Sequence, residues 1–308
     1  MLSKFNNAQF STTLLSLMVL LLISVSCESE MGIGNQDLNY QLDMSLQSAE
    51  RYRVVMAVTD IAIGDNRLAF AIIGKDGPLI MDRINIKLSI AKDNLERSVT
   101  QLEAVFQPWP QGNAGVYIAN ADLKNSGEWI IHAIDPFKPD EVLGSVKFLV
   151  NKTSSSPSIG VKPKPLQNLT IKDVIDVNQI TSSIKPDLEL YTTSVSEAID
   201  NGRPTIITFA SPSFCRTATC GPQLEIISSL NARFRDRLDL IHIEVYERNE
   251  IGNDGNYELQ VSGLLKEWGV NSEPFTFLLD KNGIIVAKFE GFVTELELEN
   301  KIKEMLDI

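Results

Sequence analysis

Apolar and polar residues alternate in short runs between residues 51 and 150, and turns containing Gly, Asn, Asp or Pro separate the runs. A period of two residues is typical of β-strands with one buried face. The expected strands are 52–59, 67–73, 83–91, 99–106, 116–121, 129–133 and 143–150. This spacing predicts an all-β sandwich of immunoglobulin-like size. Within it, residues 115–131 resemble the closing hairpin of bacterial periplasmic sandwich domains, in which a Tyr strand packs against a Gly-x-Trp strand.

The pattern changes in the second half of the chain. Residues 151–170 are rich in Ser, Pro and Lys and have no periodicity, which is typical of a linker. Residues 171–308 then alternate between apolar strands (205–209, 238–246, 275–280 and 284–289) and stretches with helical spacing (222–234, 261–268 and a final helix after Thr294). Shorter helical turns are expected at 168–180 and 195–201. The sequence therefore predicts two domains, an N-terminal all-β sandwich and a C-terminal α/β domain.

Two cysteines lie between the first of these strands and the helix that follows it. Cys215 and Cys220 are separated by four residues, and Gly221-Pro222 follows at once. Pro222 suits the first position of a helix, where its missing N–H costs nothing. Because the free N–H groups and the dipole at a helix start favour a thiolate over a thiol, these cysteines are candidate nucleophiles.

This arrangement resembles the thioredoxin superfamily, in which a strand runs into a Cys-Gly-Pro-Cys helix start. Phe214-Cys215 is similar to the family's aromatic residue and first cysteine, and Cys220-Gly221-Pro222 is similar to its Cys-Gly-Pro. The chain departs from the motif at Gln223, where the family's second cysteine would follow. The residues do not decide whether Cys215 or Cys220 is the attacking thiol.

A second stretch supports the same resemblance. Residues 268–283 have an aromatic-Gly-aliphatic triplet, then Pro274, a strand and a Lys-Asn-Gly turn, with the family's spacing. The resemblance implies that Pro274 is cis and lies beside the cysteines. A proline there removes a backbone donor and exposes backbone on which an extended thiol substrate can lie. Glu273, Pro274 and Phe214 are therefore the expected substrate-binding residues.

The function implied by this resemblance is thiol–disulfide oxidoreduction, with protein thiols or disulfides as partners and no cofactor. Three alternatives stay open. A thiol peroxidase would use Pro212, Thr217 and Cys220, although one residue too many precedes Thr217. A binding protein would use Cys215–Cys220 as a structural disulfide. A copper assembly factor would use the pair as a metal clip, with His242 as a third soft ligand.

Two other residues, His132 and Trp109, are candidates for a functional role. His132 is expected to be structural, because no cluster of metal-ligating residues accompanies it in the sequence. Trp109, between two prolines, either caps the β domain from a loop or serves as an exposed recognition residue.

The first 50 residues predict export. Residues 1–26 have a positive start at Lys4 and an apolar stretch at 14–25, as in a signal peptide, and Cys27 follows in a context that resembles a bacterial lipoprotein box. Lipid on Cys27 would anchor the protein at the outer side of a bacterial membrane, with 27–50 as a tether. The net charge of −12 disfavours nucleic acid as a partner. The pair Cys215 and Cys220 is compatible with a compartment that permits disulfides.

Overall fold

The N-terminal half of the described chain consists of antiparallel strands. The computed structural model describes residues 51–92, 95–110, 113–215, 218–248 and 259–308. Its first eight strands are β1 (Arg53–Met56), β2 (Gly64–Gly74), β3 (Gly77–Pro78), β4 (Arg83–Lys92), β5 (Leu95–Pro108), β6 (Gly115–Leu123), β7 (Gly127–Asp135) and β8 (Lys138–Val150). Each predicted strand overlaps one of these, and only the two-residue β3 was not anticipated.

These strands form one continuous sheet, which corrects the expectation of an immunoglobulin-like sandwich with two separate sheets. The order is β1-β2-β6-β5-β4-β7-β8, with β3 beside β2. Strand β5 joins what would be two layers, because it pairs with β4 as far as Val105 and with β6 from Val105 to Pro108. The ends of the sheet approach each other where Tyr52 N–H donates to Leu143 O at 3.2 Å. The sheet is therefore nearly a closed barrel.

The barrel interior is filled by the apolar residues of the alternating pattern. Phe70, Leu88, Tyr117, Trp129 and Ile131 are at most 1% exposed. The tyrosine and the tryptophan belong to the same core, but their strands β6 and β7 are separated in the sheet by β5 and β4. The hairpin expected at 115–131 is thus wrong: the two strands are consecutive in sequence and lie apart in the sheet.

The C-terminal half is an α/β structure. Its central sheet has the order β10-β9-β13-β14, in which β9 is parallel to β10 and antiparallel to β13, and β13 is antiparallel to β14. The strands are β9 (Thr205–Ala210), β10 (Asp239–Glu244), β13 (Phe275–Leu279) and β14 (Ile285–Glu290), and a separate ribbon consists of β11 (Tyr246–Arg248) and β12 (Leu259–Val261). The helices are α1 (Val195–Ala198), α2 (Cys220–Phe234), α3 (Gly263–Glu267) and α4 (Glu295–Leu306).

Alternate residues of the central strands face opposite sides of the sheet, and each side has its own core. Ile206 faces the side covered by α2 and α4, whereas Ile207 faces the side covered by α1 and α3. All six residues of β9 are buried, as expected for a strand with helices on both faces. The helical entry predicted at 168–180 is limited to a 3₁₀ turn, Val177–Gln179, and a second 3₁₀ turn follows at Leu188–Tyr191.

Residues 151–170, predicted as a linker, pack along the second sheet. Gly160 N–H donates to Ile285 O at 2.8 Å, and Ile285 N–H donates to Val161 O at 3.0 Å, so the segment extends the β14 edge. Leu166 is fully buried. All described residues fall in one compact unit, and the division into domains at 51–150 and 171–308 stays a prediction. Within the described ranges, no helix is long and apolar enough to cross a membrane.

Candidate active site

The two cysteines form a disulfide between strand β9 and helix α2. Their Cα atoms are 5.9 Å apart. Cys220 is fully buried, whereas Cys215 is partly exposed. The N–H of Cys220 points to Cys215 Sγ at 3.3 Å. Since Cys220 is the first residue of a 15-residue helix, the sulfur of Cys215 lies at the positive end of the helix dipole.

The helix begins two residues earlier than the sequence predicted. Pro222 was expected at its first position, but the helix starts at Cys220, with Thr219 as the N-cap residue. Pro222 is tolerated at the third position because the N–H groups of the first turn have no partner within the helix. Gly221 has open space where a Cβ would stand. The first turn of α2 therefore has open space at Gly221, the residue after Cys220.

Gln223, at the position of the family's second cysteine, has a structural contact instead. Its side chain is fully buried, and its Oε1 accepts a hydrogen bond from Val293 N–H at 2.9 Å. It thereby ties the first turn of α2 to the loop before α4. Cys215 and Cys220 are thus placed differently from the two cysteines of a Cys-x-x-Cys helix start, because Cys215 lies in the loop that precedes the helix.

The Glu273–Pro274 peptide bond is cis, as the resemblance implied. Pro274 is buried and Glu273 is partly exposed. Glu273 Oε2 lies 3.6 Å from Cys220 Sγ, which places the carboxylate directly beside the buried sulfur. Of the residues expected to bind substrate, Glu273 therefore adjoins the cysteine pair, and the cis Pro274 follows it directly in the chain.

Phe214, the third residue expected to bind substrate, is partly exposed next to Cys215. Its ring meets the Tyr246 ring edge-on, with centroids 6.3 Å apart. The loop that contains Phe214 is closed by a hydrogen bond from its N–H to Ser211 O at 3.2 Å. The residue before Cys215 thus offers a partly exposed aromatic ring.

His242 is buried in strand β10, where Tyr191 OH contacts its Nδ1 at 2.7 Å and Ala210 O contacts its Nε2 at 3.0 Å. Burial lowers the pKa of His242, although Glu244 and the hydrogen bond to Ala210 act in the opposite direction. Both ring nitrogens are therefore engaged within the fold. Among the described residues, the group with metal-ligating atoms close together consists of Cys215, Cys220 and Glu273, whose atoms lie within 4.8 Å of one another.

His132 and Trp109 are both integrated into the barrel. His132 contacts Ser145 Oγ through Nδ1 at 2.9 Å and Glu96 Oε1 through Nε2 at 2.7 Å. Trp109 is partly buried and packs against the apolar interior, as a loop residue that caps the barrel would. These contacts account for both residues structurally.

The sequence did not indicate a second group of polar residues close to the site. Glu290 Oε1 accepts a hydrogen bond from Ser272 Oγ at 2.7 Å, one residue before Glu273. The same carboxylate accepts the N–H groups of Thr59 and Asp60, both at 2.8 Å, from the loop after β1. No sequence pattern pairs residues more than 200 positions apart, so this connection could be found only in the folded chain.

Two predicted positions lie outside the described residues. They are Cys27, with the signal and tether around it, and Thr217 of the peroxidase alternative.

Solved structures similar to this chain include two thioredoxin-like proteins. One is the exposed lipoprotein thioredoxin Etrx1 of Streptococcus pneumoniae strain TIGR4, with 20% identity, a TM-score of 0.28, and coverage of 34% of this chain and 87% of that one. The other is a thiol:disulfide interchange protein of the thioredoxin family from Chlorobium tepidum TLS, with 13% identity, a TM-score of 0.32, and coverage of 49% and 99%. Both neighbours are thioredoxin-like proteins. No protein-family model and no curated protein matches the chain. At these identities and TM-scores, the function of the chain has to be argued from its own residues.

Proposed function

We propose that this chain is a thiol–disulfide oxidoreductase with a thioredoxin-like C-terminal domain. The observation on which the proposal rests is the disulfide between a partly exposed Cys215 and a buried Cys220 at the start of a long helix. The order of the central strands, β10-β9-β13-β14, and the position of the cysteines between β9 and α2 support the thioredoxin-like assignment.

Cys215 is the attacking thiol in this proposal. It is the more exposed sulfur, and the helix N–H that points to it stabilises a thiolate. Its thiolate attacks one sulfur of a substrate disulfide, and the other substrate sulfur leaves as a thiolate and takes up a proton. Cys220 then loses its proton and attacks Cys215 Sγ, which closes the protein disulfide and releases the second substrate thiolate. Two electrons pass to the substrate, and the reverse sequence oxidises a substrate dithiol.

The substrate surface is formed by Phe214, Glu273 and Pro274. Phe214 offers an apolar ring next to Cys215 in the chain, and the Glu273 carboxylate lies 3.6 Å from Cys220 Sγ. An extended peptide that carries a thiol or disulfide can lie against Glu273, which is partly exposed, while its sulfur reaches Cys215. Protein thiols or disulfides are therefore the proposed partners.

The proposed location is the outer side of a bacterial membrane, with lipid on Cys27 and the two predicted domains held away from the bilayer by 27–50. Support comes from the sequence of residues 1–27 alone. Incorporation of labelled fatty acid into the wild type and its absence in Cys27→Ala are the expected results. Equal labelling of the two proteins would refute the anchor.

The decisive experiment is the reduction potential of the pair. The full chain with Cys27→Ser has Cys215 and Cys220 as its only thiols, because the sequence contains three cysteines. It is equilibrated with glutathione mixtures and the free thiols are labelled. A potential between about −120 and −270 mV is expected, as for known exchange proteins. A potential below roughly −300 mV would indicate a structural disulfide and overturn the proposal.

Single-cysteine variants, made in the full chain with Cys27→Ser, test the assigned roles. Cys220→Ser is expected to form a stable mixed disulfide with oxidised glutathione, because Cys215 is exposed and no second thiol resolves it. Cys215→Ser is expected to react at least tenfold more slowly, since Cys220 is fully buried. Mass spectrometry of both variants over time measures this. Equal rates would contradict the assignment of Cys215 as the attacking thiol.

A second candidate function is metal binding by the reduced pair. The observation in its favour is the proximity of Cys215 Sγ, Cys220 Sγ and a Glu273 oxygen, all within 4.8 Å. Two thiolates suit a soft ion such as Cu(I); the third ligating group beside them is the Glu273 carboxylate, a harder ligand than the His242 of the alternative drawn from sequence. Titration of the reduced chain with Cu(I), with Glu273→Gln as the comparison, tests it. Binding that is unaffected by loss of either cysteine would exclude this site.

A further inference from the structure

Hydrogen bonds to Glu290, and a contact of Glu273 with Cys220 Sγ, link the barrel to the cysteine pair. Thr59 contributes its N–H and Oγ1, and Asp60 its N–H, to the Glu290 carboxylate, each at 2.8 Å. The same carboxylate accepts Ser272 Oγ at 2.7 Å. Ser272 precedes Glu273, whose Oε2 lies 3.6 Å from Cys220 Sγ. The connection thus runs from the loop after β1 to the buried sulfur in three steps.

Sheet pairing and burial fix the position of Glu290. It is the last residue of β14, it pairs with Phe275 in the sheet, and it is 8% exposed. Gly291 N–H donates to Pro274 O at 2.8 Å, so the end of β14 is bonded to the Pro274 loop on both sides of Glu273. Burial of a carboxylate is costly unless hydrogen bonds compensate for the lost water. The buried Glu290 carboxylate is therefore stabilised by donors from the barrel loop and from Ser272 at the same time.

We infer that Glu290 is a positioning residue through which the barrel fixes the distance between the Glu273 carboxylate and Cys220 Sγ. This inference deepens the proposed function and rests on it, since it assigns the barrel a part in setting the redox equilibrium of the pair. Thr59 and Asp60 fix Glu290, Glu290 fixes Ser272, and Ser272 fixes the start of the Glu273–Pro274 loop.

The charge of Glu273 gives this placement a redox consequence. Reduction of the disulfide by two glutathione molecules adds two electrons and two protons to the pair and releases glutathione disulfide. In the reduced pair, the Cys220 thiol can donate its proton in a hydrogen bond to the Glu273 carboxylate, which the disulfide sulfur cannot do, so the carboxylate favours the reduced pair. If the loop loses its anchor, the carboxylate moves away from the sulfur and the equilibrium shifts towards the disulfide.

The test compares equilibrium constants with glutathione in the full chain with Cys27→Ser. Glu273→Gln is expected to shift the constant three- to tenfold towards the disulfide, because a neutral amide oxygen accepts a weaker bond from the Cys220 thiol than a carboxylate does. A tenfold shift corresponds to about 30 mV. Glu290→Gln is expected to shift it in the same direction and by a smaller factor. The double variant is expected to match Glu273→Gln, because Glu290 acts through Glu273.

The matched control is Glu297→Gln. Glu297 also joins the two halves of the molecule, through Arg67 Nε at 2.7 Å and Gln107 Nε2 at 3.0 Å, but it has no bond to the Pro274 loop. Glu297→Gln is expected to lower the midpoint of urea unfolding without changing the equilibrium constant with glutathione. Ser272→Ala, which leaves the contacts of Thr59 and Asp60 intact, is expected to reproduce the redox shift of Glu290→Gln with little loss of stability.

Two results would overturn the inference. One is a Glu290→Gln or Ser272→Ala variant that folds and has the wild-type equilibrium constant. The other is full addition of the Glu290→Gln and Glu273→Gln shifts in the double variant. Failure of the proposed function is a separate result, because the wild type would then not exchange with a substrate disulfide. The equilibrium constants remain measurable in that case, with dithiothreitol as the reductant.

Discussion

Asp60 lies at the junction of the two halves, and its replacement is expected to lower the free energy of unfolding. Its carboxylate accepts hydrogen bonds from Ser154 Oγ, from the N–H and Oγ of Ser155 and Ser156, and from Lys288 Nζ. The side chain is 6% exposed, and that of Lys288 is 18% exposed. Asp60→Asn replaces one acceptor oxygen with an NH₂ group and leaves the Lys288 charge without its partner.

The expected loss follows from these contacts. Breaking a buried ion pair by removing one partner costs about 3–5 kcal/mol. Because Lys288 keeps some access to water and the asparagine oxygen still accepts some of the bonds, we expect about 3 kcal/mol. For a folded part of roughly 250 residues this corresponds to a fall of about 6–12 °C in Tm.

The pH dependence provides an independent check. Burial raises the pKa of Asp60, but hydrogen bonds from Ser154 and Ser156 and the charge of Lys288 outweigh it and hold the pKa far below its usual range. A carboxyl group with a depressed pKa stabilises the fold fully above its unfolded pKa of about 3.9. That stabilisation is lost as the pH falls through the lower folded value. The difference between wild type and Asp60→Asn should therefore be constant from pH 7 to about pH 5 and shrink below pH 4.

Urea unfolding of both proteins at pH 7, 5 and 3.5 measures this, with the exposed Asp65→Asn as the control for a change of one charge. Asp65→Asn should change the unfolding free energy by less than about 0.5 kcal/mol. The reasoning about the buried pair would be refuted if Asp60→Asn also lowered the unfolding free energy by less than about 0.5 kcal/mol. It would also be refuted if the difference in unfolding free energy between wild type and Asp60→Asn grew as the pH falls.

Two further predictions concern packing and burial. Gly269 has a φ of +59°, and a Cβ there would overlap Ser155 O; Gly269→Ala should therefore lose about 2 kcal/mol or more by urea unfolding, and more than Gly160→Ala, whose φ is also positive but whose Cβ position is open. Equal losses would show that the overlap does not matter. Burial lowers the pKa of His242 in the fold, so between pH 7 and pH 5 the unfolded chain binds more protons at this residue than the folded chain does. Wild-type stability should fall relative to His242→Gln between pH 7 and pH 5, by up to about 1.4 kcal/mol per pH unit, and parallel stability curves would contradict this.

Local patterns were sufficient to locate the strands and the cysteine segment. The short, β-rich apolar run at 205–209 indicated a buried strand, and helical spacing after Pro222 indicated the helix that starts beside the two cysteines. These features depend on residues close together in the chain. The helix start itself was placed two residues late, because Pro222 is acceptable at any position of the first turn and so does not fix the boundary.

Pairings between distant segments were not predictable. The continuity of the barrel sheet depends on β5 pairing with two different strands, and period-two alternation is the same whether a sheet is split or closed. The contact of Glu273 with Cys220 was anticipated only as proximity of a substrate loop to the cysteines. The contact of Glu290 with Thr59 was not anticipated at all, since a Glu at the end of a strand has the same pattern whether it faces solvent or another segment.

The packing of residues 151–170 determines where the protein can be divided into independent fragments. A fragment that begins at residue 171 would lack Leu166 from its interior and would expose the N–H and C=O groups of Ile285 that Gly160 and Val161 occupy. An uncovered strand edge of this kind can pair with another molecule. A C-terminal fragment should therefore begin near residue 151, so that residues 151–170 stay with the half that contains Cys215 and Cys220.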